Sequence, residues 1–368
     1  MKSRNGLACL ALAALAAGVV STAQAGCAEL IAYNTENHGL SLVVMKNGAI
    51  VCETYANGWK EDQPYTLFSG TKSFTGMIAA AAAADGLLTL DEKVSDTLTD
   101  WQNDPLKSQI TVRDLLSLTS GLDTQGPRWA PSYDTSAELA AASEPGSEFR
   151  YGPIVFQIFG AVMERKLVAA GKPASVTGYL NDRVLAPAGV APIEWLASGD
   201  APMALLRGGA LPSPLPPLGD VDPNLAAGAV TTTRNWAAYG ELVRSWPERR
   251  QIDLDAEVYE AQFEGTAANP GYGLGWWLAR EMDLSKKPAL GEPMGQIDLV
   301  DGATAGTIPD DVAAALGAAG QMLYVVPSEG LVAARFSSPP PGVRRTAVGS
   351  EGFSTVRFIE LLMTVEAP

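Results

Sequence analysis

Two residues are placed to do covalent chemistry together: Ser69 and Lys72, in Leu67-Phe68-Ser69-Gly70-Thr71-Lys72-Ser73-Phe74. Residues three apart share one helical face, so the Lys72 amine can reach the Ser69 hydroxyl. The alanine-rich run from Met77 to Ala84 follows at once and is apolar on all sides, which marks a buried helix. The pair stands at its mouth, where amide dipoles favour negative charge on the serine oxygen. A lysine held out of water loses proton affinity and can serve as a base. The chemistry is that of an activated serine nucleophile. A chain this long holds roughly one Ser-x-x-Lys by chance. Here Ser69 alone has that spacing, and its apolar setting, not the spacing, carries the weight.

The single histidine narrows the choice of base. His38 lies in Asn34-Thr35-Glu36-Asn37-His38-Gly39, a polar turn before a strand, where the surface is its expected place. A Ser-His-Asp triad would have to use it. If Ser69 works, something other than an imidazole takes its proton. Histidine-rich zinc sites are excluded by the single histidine, and of the three cysteines Cys9 lies in the N-terminal leader, so one histidine and two cysteines fall short of four ligands. No cofactor is called for.

The segment before this machinery reads as a leader. Lys2 and Arg4 precede an apolar run from Leu7 to Val20, and Ala23-Gln24-Ala25 suits a small-residue cleavage site. Gly26-Cys27 follows, which also raises lipid attachment at Cys27. Gln24 stands where such a signal wants an aliphatic residue, so soluble export to the periplasm or medium ranks first. No other stretch is long enough to span a membrane. With the leader gone, Cys27 and Cys52 either pair in an oxidising compartment or stand as free thiols. A bridge would contribute roughly 3 kcal/mol. The formal net charge is −15, with no basic stripe, which argues against nucleic acid or an anionic lipid surface as partner. At 47% hydrophobic residues the chain has material for a large core. Oligomeric state is not legible.

The elements that must carry the pair follow in order. Leu40 to Val44 and Ala49 to Tyr55 flank Asn47-Gly48, a strong hairpin signal. The helix after Ser69 should stop at Asp85-Gly86. Thr111 should cap a short helix ending at Gly121. Pro145-Gly146 opens a loop that delivers Tyr151 to a helix over Ile154–Leu167, and Asn181 to Gly189 resembles a helix and turn. Pro202 to Pro223 reads as a long loop. Thr231 to Trp236 opens a helix running to about Arg244. Tyr272 to Leu278 is strand-like, with at least one of Trp276 and Trp277 in the core. Gln321–Val326 and Leu331–Phe336 form a strand pair, and Phe353–Val365 a last helix. Strands at both ends with helices between predict an α+β fold: an antiparallel sheet built from both termini, with flanking helices and a mostly helical insert. The expected division is a signal peptide over 1–25, a sheet domain from 26–84 and 270–368, and a helical domain over 85–269.

Together these landmarks resemble the serine β-lactamase and penicillin-recognising superfamily, in the branch holding class C β-lactamases, their esterase relatives and 6-aminohexanoate-dimer hydrolases. The resemblance rests on Ser69-Gly-Thr-Lys72, Leu115-Leu-Ser-Leu-Thr-Ser-Gly-Leu122 and Pro145-Gly146 leading to Tyr151. It continues through Gly228-Ala-Val-Thr-Thr-Thr-Arg-Asn-Trp236, Tyr272-Gly-Leu-Gly-Trp-Trp277 and Gly317-Ala-Ala-Gly-Gln-Met-Leu-Tyr-Val-Val-Pro327. It implies that Tyr151 assists as general base, from a Tyr-x-Asn motif in which Pro153 replaces the asparagine. The family's third motif, Lys-Thr-Gly or a variant, falls on Ala315-Leu316-Gly317, where only the glycine survives. Gly317 would let substrate lie against the strand. The amide of Ala318 would join that of Ser69 in holding an oxyanion. A cation or hydroxyl for a substrate carboxylate is missing there.

The resemblance therefore implies a secreted serine hydrolase that forms an acyl-enzyme on Ser69 and acts on an ester or small amide. A β-lactamase or D-alanyl peptidase is one alternative. A non-catalytic binding or sensor protein on the same scaffold is the other. Substrate choice would lie with the loops Trp129 to Ala142 and Pro202 to Pro223.

Overall fold

A computed structural model describes residues 22–124, 130–199, 215, 218, 221–279, 308–338, 340, 345–346, 349–350 and 352–367. Nine of its strands form two sheets. β1 (Gly39–Lys46) and β2 (Ala49–Tyr55) are the expected hairpin, turned by Asn47 at φ 53° and Gly48 at φ 87°. β3 (Tyr65–Thr66), β4 (Glu194–Trp195) and β5 (Ala229–Thr231) make a small sheet in the order β3-β5-β4. β6 (Trp277–Leu278), β7 (Ala313–Gly317), β8 (Gln321–Val326) and β9 (Leu331–Ser337) complete the large one. Its order is β2-β1-β9-β8-β7-β6 and every pairing is antiparallel. The sheet thus joins the two ends of the chain, as the α+β reading expected.

The helices cover both faces. α1 (Thr22–Glu36) packs on β1 and β2, and α2 (Ser73–Ala84) is buried from Ser73 to Ala82. α3 (Val112–Leu116) and α4 (Ile154–Ala169) belong to the insert. α5 (Thr233–Arg249) lies across β1, β8 and β9, while α6 (Ala256–Ala261) packs on α2. α7 (Thr355–Met363) closes the chain beside α1. Successive side chains of a strand face opposite ways. Tyr324 of β8 therefore meets Phe358 of α7 at 5.3 Å, and its neighbour Leu323 packs where Gly240 lets α5 approach. Burial on both faces explains why β8 and β9 are buried at every residue. Among the described residues no helix is long and apolar enough to cross a membrane.

Several boundaries differ from expectation for identifiable reasons. α1 was not foreseen: its first residues overlap the predicted cleavage site, and Cys27 within it is bonded to Cys52 of β2. α3 stops at Leu116, well before Gly121, because the Ser117 hydroxyl turns back onto the Arg113 carbonyl and Leu118 takes φ 63°. α5 runs past Arg244 and through Pro247. Proline supplies no N–H to the carbonyl four residues earlier, and at Val243 the Tyr259 hydroxyl donates instead. His38 is half-buried rather than exposed, at φ 61° in the turn before β1. Of Tyr272–Leu278 only Trp277–Leu278 is strand; Gly275 breaks the run at φ 87°. Both tryptophans are buried. The division into sheet and helical domains remains a proposal, and the seat of α5 on the sheet argues for grouping it with the sheet region.

Candidate active site

The small sheet sets the site. Pairing of Tyr65 with Thr231 and Thr66 with Val230 brings the approach to Ser69 alongside the chain that follows Ala226. Phe68, the residue before Ser69, sits at φ 47°, a conformation L-residues rarely hold and one found at functional turns. Phe68–Lys72 is a 3₁₀ turn leading into α2, not the first turn of an α-helix as expected. In a 3₁₀ turn residues i and i+3 eclipse. Lys72 Nζ accordingly lies 3.1 Å from Ser69 Oγ. Gly70 between them packs on the Trp236 ring with no room for a side chain, and Thr71 Oγ1 accepts from the Ala229 amide at 3.1 Å.

Lys72 is 3% exposed, and its surroundings are neutral. Its amine donates to the Ala226 carbonyl at 2.8 Å and stands 5.2 Å from the Tyr151 ring centre and 5.4 Å from that of Phe156. Burial lowers its pKa from 10.5 to about 7. Among the described residues no carboxylate pairs with the amine to favour the ammonium, so near neutral pH the free-amine form is accessible.

Tyr151, half-buried, comes from the loop ahead of α4 and sets its ring beside the Lys72 amine, near enough to Ser69 to feel its hydroxyl. Burial raises its pKa to about 12, and the nearby Ser69 hydroxyl pulls the other way. The ring stacks on Trp277 at 5.5 Å and meets Tyr272 edge-on at 6.3 Å. The segment carrying Tyr272 and Trp277 also passes close to the serine turn, with the Lys72 carbonyl where a Cβ on Gly275 would be. Pro153, in place of the motif's asparagine, caps α4 and offers no side-chain donor. The three side chains expected to act together are together.

Gly317 ends β7 against the serine turn, where a Cβ would overlap the Leu67 carbonyl oxygen. The glycine is demanded first by the protein's own backbone, before any substrate. The Gly317 carbonyl accepts from Gly320 N at 3.3 Å across the β7–β8 turn. The peptide is trans and planar, so the Ala318 N–H points the opposite way, off the hairpin. Among the described residues nothing accepts the N–H of Ala318 or of Ser69. No hydrogen bond at Ser69 or Lys72 involves His38. The loops expected to select substrate lie partly outside the described residues.

Sequence reasoning missed what holds Ala226. The Asn224 side-chain oxygen accepts from the amides of Ala226 and Ala227, at 3.1 and 3.0 Å. Gln157, buried on α4, accepts from Leu225 N at 2.8 Å and donates to Pro131 and Pro223 carbonyls. The signals were there: a Pro-Asn pair before an apolar run, and one amide within the apolar helix Ile154–Met163.

An antiparallel sheet carrying a Ser-x-x-Lys turn, a facing tyrosine and a glycine-ended strand defines a β-lactamase-like protein. The chain belongs to the β-lactamase family, whose model matches residues 27–350. Solved structures agree on the fold. A Bacteroides dorei DSM 17855 protein assigned to the β-lactamases is 18% identical with a TM-score of 0.65, over 92% of this chain and 97% of that one. EstCE1, a hydrolase with promiscuous acyltransferase activity, is 17% identical with a TM-score of 0.62, over 94% and 98%. A Bacillus anthracis protein assigned to the 6-aminohexanoate-dimer hydrolases is 19% identical with a TM-score of 0.58, over 85% and 77%. No curated protein matches.

Proposed function

We propose that this chain is an exported serine hydrolase that forms an acyl-enzyme on Ser69 and acts on an ester or small amide. The observation that carries the reading is the Lys72 amine held against Ser69 Oγ with the Tyr151 ring beside it, inside a pocket that lowers the amine's pKa to about 7. Lys72 takes the Ser69 proton as Oγ attacks the substrate carbonyl. The N–H groups of Ser69 and Ala318 receive the oxyanion. Tyr151 passes a proton to the leaving group and is resupplied by the Lys72 ammonium. Water then attacks the acyl carbonyl by the same route and frees Ser69.

Among the described residues Lys72 is the one cation touching Ser69 or Tyr151. That supports a neutral acyl group over the carboxylate of a β-lactam or peptide terminus. The bond between Cys27 and Cys52 leaves Cys27 no sulfur for a lipid thioether, which favours soluble export. Ser69→Ala should reduce hydrolysis of a chromogenic acyl ester to background, at least about 10³-fold. A fluorophosphonate should add mass on Ser69 of the native protein and not of the variant. Retained turnover, or no labelling of the native protein, would overturn the reading; the latter would favour a binding protein on this scaffold.

A further inference from the structure

The turn between β7 and β8 has a conformation its own sequence does not favour. Ala319 sits at φ 62° and Gly320 at φ 86°, and only the second is free of a side chain. What holds the turn is a buried amide. Gln321 is fully buried, and its Nε2 faces the carbonyls of Ala318 at 3.3 Å, Ala319 at 3.4 Å and Ser337 at 2.8 Å. Its Oε1 accepts from Ser337 N at 3.2 Å. The remaining turn carbonyl, Gly320, accepts from the buried Arg335 guanidinium at 3.3 Å, which is itself anchored on Asn34 Oδ1 at 2.7 Å and the Asn37 carbonyl at 2.6 Å. Every carbonyl of the three-residue turn is thus tied inward to a buried side chain. The peptide planes are set, and the amide of Ala318 is left directed outward.

From this geometry we infer that Gln321 is a positioning residue for hydrolysis, fixing the Ala318 N–H where the developing oxyanion forms. The inference rests on the acyl-enzyme reading above. Gln321 touches neither substrate nor Ser69, and acts through the turn. An oxyanion donor contributes to the transition state and little to ground-state binding. Loss of Gln321 should therefore lower kcat and leave KM nearly unchanged.

Gln321→Met keeps the side chain's length and removes its hydrogen bonding. Its kcat for a nitrophenyl acyl ester should fall about 30- to 100-fold, near the loss expected when one oxyanion donor is displaced. KM should stay within about threefold, and Ser69 labelling by the fluorophosphonate should slow by the same factor as kcat. The pH midpoint set by Lys72 should not move. Ser337→Ala, which removes the hydroxyl bonded to the His38 carbonyl and leaves the Gln321 contacts intact, is the control and should keep kcat within about twofold. Should Gln321→Met fail to fold, Gln321→Asn draws the same amide back from the turn and should show the same split. A folded Gln321 variant with kcat within threefold of the native protein overturns the inference, as does an equal loss in Ser337→Ala. Absence of labelling on native Ser69 overturns the site assignment first, so the two failures are told apart.

Discussion

At Lys72 the governing quantity is the cost of holding an ammonium in a site that offers only a hydroxyl, a carbonyl and two aromatic rings. The amine responds by giving up its proton near pH 7. Below that pH it is charged and cannot accept from Ser69; above it the lone pair is free. Acylation measured as kcat/KM should therefore rise about tenfold per unit at acid pH and level off above about 7. Tyr151→Phe should lower the plateau by about 10²-fold and leave that midpoint in place, because Tyr151 is not the titrating group. A midpoint that moved with the phenol would return the base's role to Tyr151. The pair Ser69–Lys72 was legible because its spacing lets the two side chains meet and its apolar setting sets it apart. Tyr151 was legible only through the order of landmarks, and its protonation only through burial, which no local pattern encodes.

At the scale of elements, features fixed by local chemistry could be read and features fixed by contact could not. Asn47-Gly48 specified its hairpin, and Thr111 its cap, because those side chains act on their own backbone. The break at Gly275 depends on the Lys72 carbonyl, two hundred residues away along the chain. The end of α5 depends on a tyrosine hydroxyl from the next helix. Gly317 is of the second kind. Its replacement by alanine drives a methyl into the Leu67 carbonyl, where backbone meets backbone and neither can rotate aside. Gly317→Ala should cost about 2–4 kcal/mol in stability, seen in denaturant unfolding, and remove most turnover by parting β7 from the serine turn. A variant as stable and active as the native protein would show that the two segments are less tightly joined.

For the whole molecule, the bond between Cys27 and Cys52 ties α1 to β2 across 25 residues. Closing a loop of that size restricts the unfolded chain by about 3 kcal/mol. Replacing both cysteines by serine should lower the melting temperature by roughly 5–10 °C, and native protein in strong reductant should follow the same curve. Catalysis at 25 °C should be unaffected, since neither cysteine is among the contacts of Ser69, Lys72 or Tyr151. Equal melting with and without reductant would mean that the link carries no stability.

The position of β1 has a consequence for how the protein comes into being. This strand is made early yet lies between β2 and β9, with Val43 opposite Ala334 and Lys46 opposite Leu331. While it emerges from a ribosome it has one partner, and a lone hairpin is barely stable in water. Its second partner, from Leu331, follows 285 residues after Lys46. The large sheet therefore cannot close around β1 until β9 has been made, and until then the hairpin is a segment that a chaperone would have to shelter.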